Sequence, residues 1–301
     1  MKKQKKNLKK WLILNTGVFL PLGAHAQWID SGWIQSSSPA VSFAVDTSFG
    51  SFIATAPLKS PLSAVTFNST ENTTSNPELL WVPAWGALRL GLFSSAPSTS
   101  NMGEYSVAMG YHSTASGAYS VALGNGSSAS NSNSVALADG NASGSYAVAF
   151  AHGSASGSYA VAFNLFANAE ASNSVAMGYF ATASGSSSVA IGFAPYAYAN
   201  YSLATNSSTY AAGECSTAMG YSTSVSSYAA VAIGRYNVDK TETLGTPSAT
   251  SWASTDPAFE IGNGTSSTPS DALVVYKDGS AQFAGAVKVP QSGDIPMFTG
   301  Y

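Results

Sequence analysis

The chain has 301 residues, and only 9% of them are Asp, Glu, Lys or Arg, against roughly 25% in a typical soluble domain. Ser, Ala and Gly take their place, which favours a repetitive, sheet-rich architecture over a set of ordinary globular domains. Outside the first 26 residues the chain has six basic and fifteen acidic residues. This balance disfavours nucleic acid and anionic membrane surfaces as partners, because both reward clustered Lys and Arg.

Residues 1–26 have the three parts of a secretory signal peptide. A lysine-rich start leads into the apolar stretch from Trp11 to Leu22, and Ala24-His-Ala26 provides the small residues of a cleavage site. The apolar stretch is shorter than the roughly 20 residues of a membrane-spanning helix. An uncleaved membrane anchor is the alternative. We expect the mature chain to begin at Gln27 and to be secreted or displayed at the cell surface.

Residues 27–100 differ in composition from residues 101–237 and are predicted to form an N-terminal β or cap region. Alternation predicts short strands at 41–45 and 51–55, and 87–91 is predicted to be a strand leading into the next region. Four tryptophans occur here: Trp28, Trp33, Trp81 and Trp85. They favour a cap over the open end of a repeat array, with a carbohydrate-stacking surface as the alternative.

Residues 101–237 repeat with a period of 14, shortened to 13 twice. Ten markers define the turns: Val107, Val121, Val135, Val148, Val161, Val175, Val189, Leu203, Thr217 and Val231. A second strand-like piece follows each of the first nine markers, at Ala115, Ala129, Ala142, Ala155, Ala169, Ala183, Ala197, Ala211 and Val225. A 14-residue unit cannot bury its own apolar face, but stacked units can, so the pattern predicts an all-β parallel roll of about ten turns.

Alternation along each first strand places the marker and the residue two positions later on one face. Because these are the larger side chains, we expect them to form the core inside the roll. The expected core is Val107, Met109, Val121, Leu123, Val135, Leu137, Val148, Phe150, Val161, Phe163, Val175, Met177, Val189, Ile191, Val231 and Ile233.

The residue after each marker is alanine in all ten turns. We expect this column, with the small residue before each marker, to form an outward flat face through which chains associate. The expected interface is Ala108, Ala122, Ala136, Ala149, Ala162, Ala176, Ala190, Ala204, Ala218 and Ala232.

Five tyrosines stand two positions before a marker: Tyr105, Tyr119, Tyr146, Tyr159 and Tyr201. Packing at the corner of each turn is favoured for them, and a ligand-contacting ladder is the alternative. The single cysteine, Cys215, is expected to be a buried small hydrophobe. The turns marked by Leu203 and Thr217 are expected to pack less well.

Residues 238–301 are predicted to form a small β closing module and a tail. Asp278-Gly279 predicts a hairpin turn, and the last residues show no clear pattern. After Asn237 we find no heptad run and no set of long amphipathic strands, so we expect no integral membrane anchor.

No cluster with the spacing of a catalytic, cofactor or metal site occurs. Acidic residues do not recur from turn to turn, no His or Cys group has zinc spacing, and no phosphate loop or nucleophile elbow is present. We therefore expect a protein that is not an enzyme and has no cofactor.

Several repeats resemble those of a known family. Asn173-Ser-Val-Ala-Met-Gly178, followed by Ala181-Thr-Ala-Ser-Gly185, resembles the head repeat of YadA-like trimeric autotransporter adhesins, as do Tyr119-Ser-Val-Ala-Leu-Gly124 and Ser188-Val-Ala-Ile-Gly192. The resemblance implies a left-handed parallel β-roll, a homotrimer, and attachment to a host or neighbouring-cell surface, a matrix protein or a glycan.

Three functions remain open. The first is an extracellular adhesin-like head, and the second is a structural or coat protein without a specific ligand. The third, an ice-binding solenoid, calls for a regular column of threonine, and the threonines of the roll are scattered.

Overall fold

The computed structural model describes residues 11–13, 19–21, 42–46, 51–55, 65–68, 78–82, 85–93, 100–238 and 246–286, and the secondary structure in these ranges is β. The cleavage site, Trp28, Trp33 and the tail lie outside the described residues. The chain forms two compact units, Met1–His152 and Gly153–Tyr301.

The N-terminal part of the first unit is antiparallel. Its strands are β1 (Trp11–Ile13), β2 (Phe19–Pro21), β3 (Ser42–Asp46), β4 (Ser51–Thr55), β5 (Val65–Asn68), β6 (Glu78–Val82) and β7 (Ala87–Leu92). Strands β1 and β2 pair, as do β3 and β4, and β5, β6 and β7 form a meander. The strand predicted at 87–91 is confirmed as β7, which pairs in parallel with the first strand of the roll.

The roll in the first unit alternates between two sheets. Its strands are β8 (Val107–Tyr111), β9 (Thr114–Ala115), β10 (Val121–Leu123), β11 (Ser128–Ala129), β12 (Val135–Leu137), β13 (Asn141–Ala142) and β14 (Val148–Phe150). We call the sheet of even-numbered strands wall 1 and the sheet of odd-numbered strands wall 2. Pairing is parallel and places like residues side by side, for example Val121 beside Val107 and Val135.

The second unit continues the same alternation up to β26. Its strands are β15 (Ser154–Ala155), β16 (Val161–Phe163), β17 (Asn168–Ala169), β18 (Val175–Met177), β19 (Thr182–Ala183), β20 (Val189–Phe193), β21 (Tyr196–Ala197), β22 (Leu203–Ser207), β23 (Tyr210–Ala211), β24 (Thr217–Tyr221), β25 (Ser224–Val225) and β26 (Val231–Arg235). Among the described residues the two units contain about nine complete turns, since nine wall 2 strands accompany ten wall 1 strands. The parallel roll that the period predicts is confirmed.

The interior of each roll consists of small side chains, which corrects the expected core. The alanine that follows each marker is at most 2% exposed, and the alanines of wall 2 are equally buried. The buried wall 1 column, expected to be the interface, is Ala108, Ala122, Ala136, Ala149, Ala162, Ala176, Ala190, Ala204, Ala218 and Ala232. A turn of 14 residues with strands of two to five residues encloses too thin a space for larger side chains. These alanines pack inside one chain, so the expectation that they form the interface was wrong.

The larger residues of wall 1 lie on its outer face instead. None of the sixteen residues expected in the core is buried: they are half-buried or exposed in the single chain. They are Val107, Met109, Val121, Leu123, Val135, Leu137, Val148, Phe150, Val161, Phe163, Val175, Met177, Val189, Ile191, Val231 and Ile233. Alternation correctly predicted that these residues share one face of their strands. The inference from their size, that this face lies inside the roll, was wrong.

Serines close the corner that leads into wall 1. Ser120 Oγ donates a hydrogen bond of 2.7 Å to the carbonyl of Gly117, and Ser174 Oγ donates one of 2.6 Å to the carbonyl of Ala171. Both serines are buried. The small residue before the marker is therefore part of the interior, and in these two turns its hydroxyl satisfies a carbonyl at the corner.

The N-terminal end of the roll in the first unit has an apolar cluster over it. Leu80, Val82, Ala87 and Met102 are buried together, and Trp85 packs against them. That residues 27–100 form a cap over the roll stays a prediction. In β7, Arg89 pairs with Ala108 in register and is 2% exposed, with its guanidinium carbon 3.8 Å from the centre of the Phe93 ring.

The C-terminal module continues wall 1 in the second unit. Its strands are β27 (Pro257–Asn263), β28 (Asp271–Tyr276) and β29 (Ala281–Phe283). β27 adds to β26 in parallel, whereas β28 and β29 follow antiparallel. The hairpin predicted at Asp278-Gly279 is confirmed between β28 and β29.

Lys277 connects the C-terminal module to the last turn of the roll. Its Nζ donates a hydrogen bond of 2.8 Å to Ser227 Oγ, lies 3.9 Å from an Asp256 oxygen and lies 5.1 Å from the centre of the Trp252 ring. Burial lowers the pKa of Lys277 below its ordinary value, and the nearby Asp256 charge opposes that effect in part.

Candidate functional site

The outer face of wall 1 is a broad apolar surface. In the second unit, Phe163, Met177, Ile191 and Met219 each expose 40–42% of their area. The marker residues beside them are half-buried. Monomeric soluble proteins rarely expose contiguous apolar patches of this kind, so the face has the character of a protein contact surface.

An aromatic cluster extends this face in the second unit. Tyr179 and Phe193 follow the wall 1 columns, and their rings stack at 5.4 Å. Phe166 and Phe180 stack at 4.8 Å at the adjoining corner, and Tyr179 meets both edge-on. All four are exposed. They were missed at the level of sequence, although Phe166 with Phe180 and Tyr179 with Phe193 recur at the 14-residue period.

Another ring pair stands at the end of this face. Tyr221 and Tyr236 lie with ring centres 5.4 Å apart, nearly perpendicular. A hydrogen bond with Tyr236, together with the charge that Tyr236 can develop, raises the pKa of Tyr221 above its ordinary value.

The outer face of wall 2 is polar by contrast. Its first column reads Thr114, Ser128 and Asn141 in the first unit, and Ser154, Asn168, Thr182, Tyr196, Tyr210 and Ser224 in the second, so it is polar except at the two tyrosines. These side chains are half-buried or exposed. The two walls therefore present chemically different surfaces. Wall 1 is suited to contact with another protein, and wall 2 is suited to water.

The tyrosine column before the markers is exposed rather than packed. Its five members, Tyr105, Tyr119, Tyr146, Tyr159 and Tyr201, are 50–61% exposed and have φ of 56–58°. In the first unit Tyr105 and Tyr119 stack at 5.1 Å. Favouring corner packing for this column was wrong. The left-handed φ belongs to the turn rather than to the tyrosine, since Asn133 and Ala229 in the same column share it, with φ of 58° and 51°.

Cys215 also departs from expectation, since its thiol is exposed in the same column. The turns marked by Leu203 and Thr217 keep full register, with five paired positions between β22 and β24. Thr217 does not affect the packing of the interior, because its position lies on the outer face of wall 1.

Charged groups on the roll are few and scattered. Asp139 and His152 lie 2.9 Å apart at exposed corners of the two shortened turns. Across the described residues, no group of three or more His, Cys, Asp or Glu side chains could hold a metal ion. In the same ranges we find no helix long and apolar enough to cross a membrane.

Comparison with known families identifies the repeats. A family model described as YadA head domain repeat (2 copies) matches residues 103–127, 115–137, 169–194 and 211–237. The unmatched turns between these segments keep the same two-wall alternation and the same buried alanines. No curated protein matches the chain. Residues 103–237 therefore form a YadA-like head domain.

Proposed function

We propose that this YadA-like head domain is the binding part of a surface-exposed, adhesin-like protein, in which three copies pack through the outer face of wall 1. The observation that carries the proposal is the apolar character of that face in a chain whose opposite wall is polar. The protein is not an enzyme and attaches to a cell surface, a matrix protein or a glycan. The family match supports an adhesin-type role.

Packing of copies through wall 1 follows from the cost of leaving it in water. Exposed Val, Met, Phe and Ile side chains are stabilised when they leave water, at about 25 cal/mol per Å² of apolar surface. A column that repeats every turn offers a continuous strip within each unit, so the gain accumulates along it. A second and a third copy carry the same strip and fit it by symmetry.

The arrangement leaves wall 2, which is mostly polar, open to a ligand. Broad surfaces of low charge match an adhesive role better than a catalytic one. In this proposal residues 1–26 are an export signal, residues 27–100 and 238–301 flank the head at 101–237, and export exposes the head outside the cell.

The oligomeric state tests the proposed packing. We expect the chain from Gln27 to have the mass of three copies in size exclusion coupled to light scattering. Val161→Glu with Val175→Glu places two charges on the outer face of wall 1 and is expected to give monomers that keep their β circular dichroism. The matched control is Ser154→Glu with Asn168→Glu, which places the same charges on neighbouring turns of wall 2 and is expected to leave the trimer intact.

Adhesion is tested separately on the assembled protein. We expect beads coated with the chain from Gln27 to adhere to cells or to immobilised matrix proteins. Growth of filaments with rising concentration, without adhesion to any surface tried, would support the structural or coat alternative instead. A monomer at all concentrations would contradict packing through wall 1.

A further inference from the structure

Three tyrosines form a local aromatic stack on the outer face of wall 2. Tyr196 and Tyr210 pair in register in β21 and β23, and their ring centres lie 5.4 Å apart with planes 5° from parallel. Tyr198, two positions after Tyr196, lies 5.9 Å from Tyr196 and 6.4 Å from Tyr210, with planes within 25° of both. Three nearly parallel rings thus occupy two adjacent turns.

The stack interrupts a wall that is otherwise built from short polar residues. The first column of wall 2 has Thr182 in the turn before Tyr196 and Ser224 in the turn after Tyr210. Ser184, in the column of Tyr198, donates a hydrogen bond of 3.2 Å to the hydroxyl of Tyr196. Because the flanking residues are short, no large side chain of wall 2 continues the stack at either end.

The rings are accessible to a partner. Tyr198 is 54% exposed, Tyr210 is 39% exposed and Tyr196 is half-buried. The stack lies on the wall opposite the apolar face, so packing of copies through wall 1 would leave it open. Tyrosine offers an aromatic face and a hydroxyl together, which suits binding of a ligand with one apolar and one polar side.

The surroundings of the stack select for an uncharged ligand. Between Thr182 and Ser226 the sequence has no Lys or Arg, and its only acidic residue is Glu214. Nucleic acid, which also stacks on aromatic rings, requires a basic groove along its backbone and is disfavoured here. Hydroxyls are abundant at the edge of the stack, as at Ser184 and Thr182.

We propose that the stack of Tyr196, Tyr198 and Tyr210 binds neutral carbohydrate. The apolar C–H face of a pyranose ring continues the stack above the short side chains of the preceding turn, and sugar hydroxyls bond to Thr182, Ser184 and the tyrosine hydroxyls. This inference rests on the proposed function for the idea that the head recognises a ligand, but it requires no particular oligomeric state.

Binding of defined sugars to the full chain tests the proposal. The probes are cellohexaose, maltohexaose, mannohexaose and chitohexaose, titrated by calorimetry. We expect at least one to bind. The combined change Tyr196→Ser, Tyr198→Ser and Tyr210→Ser is expected to weaken that binding at least about tenfold, since each lost ring removes a stacking partner. Replacing the same three residues by Phe keeps the rings and is expected to retain most of the affinity.

A matched control uses the stacked tyrosine pair at the corners of the first unit. Tyr105→Ser with Tyr119→Ser removes stacked rings at the corner column and is expected to leave sugar binding unchanged. Circular dichroism and thermal unfolding establish that each variant is folded. Light scattering on the same samples separates this proposal from the proposed packing, because sugar binding and trimer mass can fail independently.

Three results would overturn the proposal. The first is that none of the four hexasaccharides binds the unaltered chain. The second is that the serine variant of the stack binds as well as the unaltered chain, or that the corner variant loses as much. The third is that single-stranded DNA binds at the stack and the neutral sugars do not.

Discussion

Glu260 stands in register with Ala232, so the buried alanine column of wall 1 ends in a carboxylate. Glu260 is 3% exposed, and its Oε2 accepts a hydrogen bond of 2.6 Å from Nδ2 of Asn237. Asn237 also bonds the backbone of Ser224 through both ends of its amide, at 2.7 and 2.8 Å. One asparagine therefore closes the last strand of wall 2 and pairs the acid that ends wall 1.

Removing this asparagine should destabilise the C-terminal end of the roll. Asn237→Ala leaves the Glu260 carboxylate without this donor and the Ser224 backbone without its partner, which we expect to lower the free energy of unfolding by about 3 kcal/mol. Urea unfolding followed by circular dichroism measures it. Asn200→Ala, which removes an exposed bond to the Ser186 amide, is the control and should cost well under half as much.

A larger side chain in the alanine column should be poorly tolerated. Ala176 lies between Ala162 and Ala190 and is fully buried. We expect Ala176→Leu to destabilise the protein by about 1–3 kcal/mol or more, because the interior has no space for three extra carbons. Met177→Leu, one residue away on the exposed face, is the matched control. Equal thermal midpoints for the two variants would contradict the assignment of the interior.

One glycine position has no room for a side chain. Gly192 has φ of +132°, and a Cβ there would collide with the backbone carbonyl of Asn206 in the next turn. Gly192→Ala is expected to lower the free energy of unfolding by about 2 kcal/mol or more, through strain and loss of close stacking. Gly285→Ala has open space around its Cβ and should be nearly neutral. Chemical unfolding of both proteins provides the comparison.

Stability in alkali should depend on Lys277. Burial lowers its pKa in the folded protein, so between that pKa and the ordinary value of 10.5 the unfolded chain binds more protons than the folded chain. The contribution of Lys277 to the free energy of unfolding therefore rises as pH rises through this window. Lys277→Met keeps an unbranched side chain against Trp252 and removes the titrating group.

The difference in the free energy of unfolding between the unaltered chain and Lys277→Met separates the effect of Lys277 from that of other titrating groups. We expect the unaltered chain to gain stability relative to Lys277→Met as the pH approaches 10.5, measured by urea unfolding at several pH values. A difference that stays constant over the alkaline range, or shrinks, would show that the folded environment does not lower this pKa.

Much of the architecture could be predicted from spacing alone. A period of 14 with fixed columns requires parallel stacking in register, and the observed pairing of Val121 with Val107 and Val135 follows from it. Strand β7 and the turn at Asp278-Gly279 could also be predicted from the sequence, because alternation and turn residues act locally. The stacked tyrosines of wall 2 were missed, although Tyr196 and Tyr210 are one period apart.

The sequence by itself determined the repeat, its register and the grouping of residues on each face of a strand, because these depend on spacing along the chain. Only the tertiary structure decided which face is inside. In a short turn the distance between the two walls limits the size of the enclosed side chain, so alanine such as Ala176 fills the interior and Val175 and Met177 face outwards. Side-chain size alone predicted that the larger residues lie inside. That prediction was wrong because the space between the walls depends on both walls together.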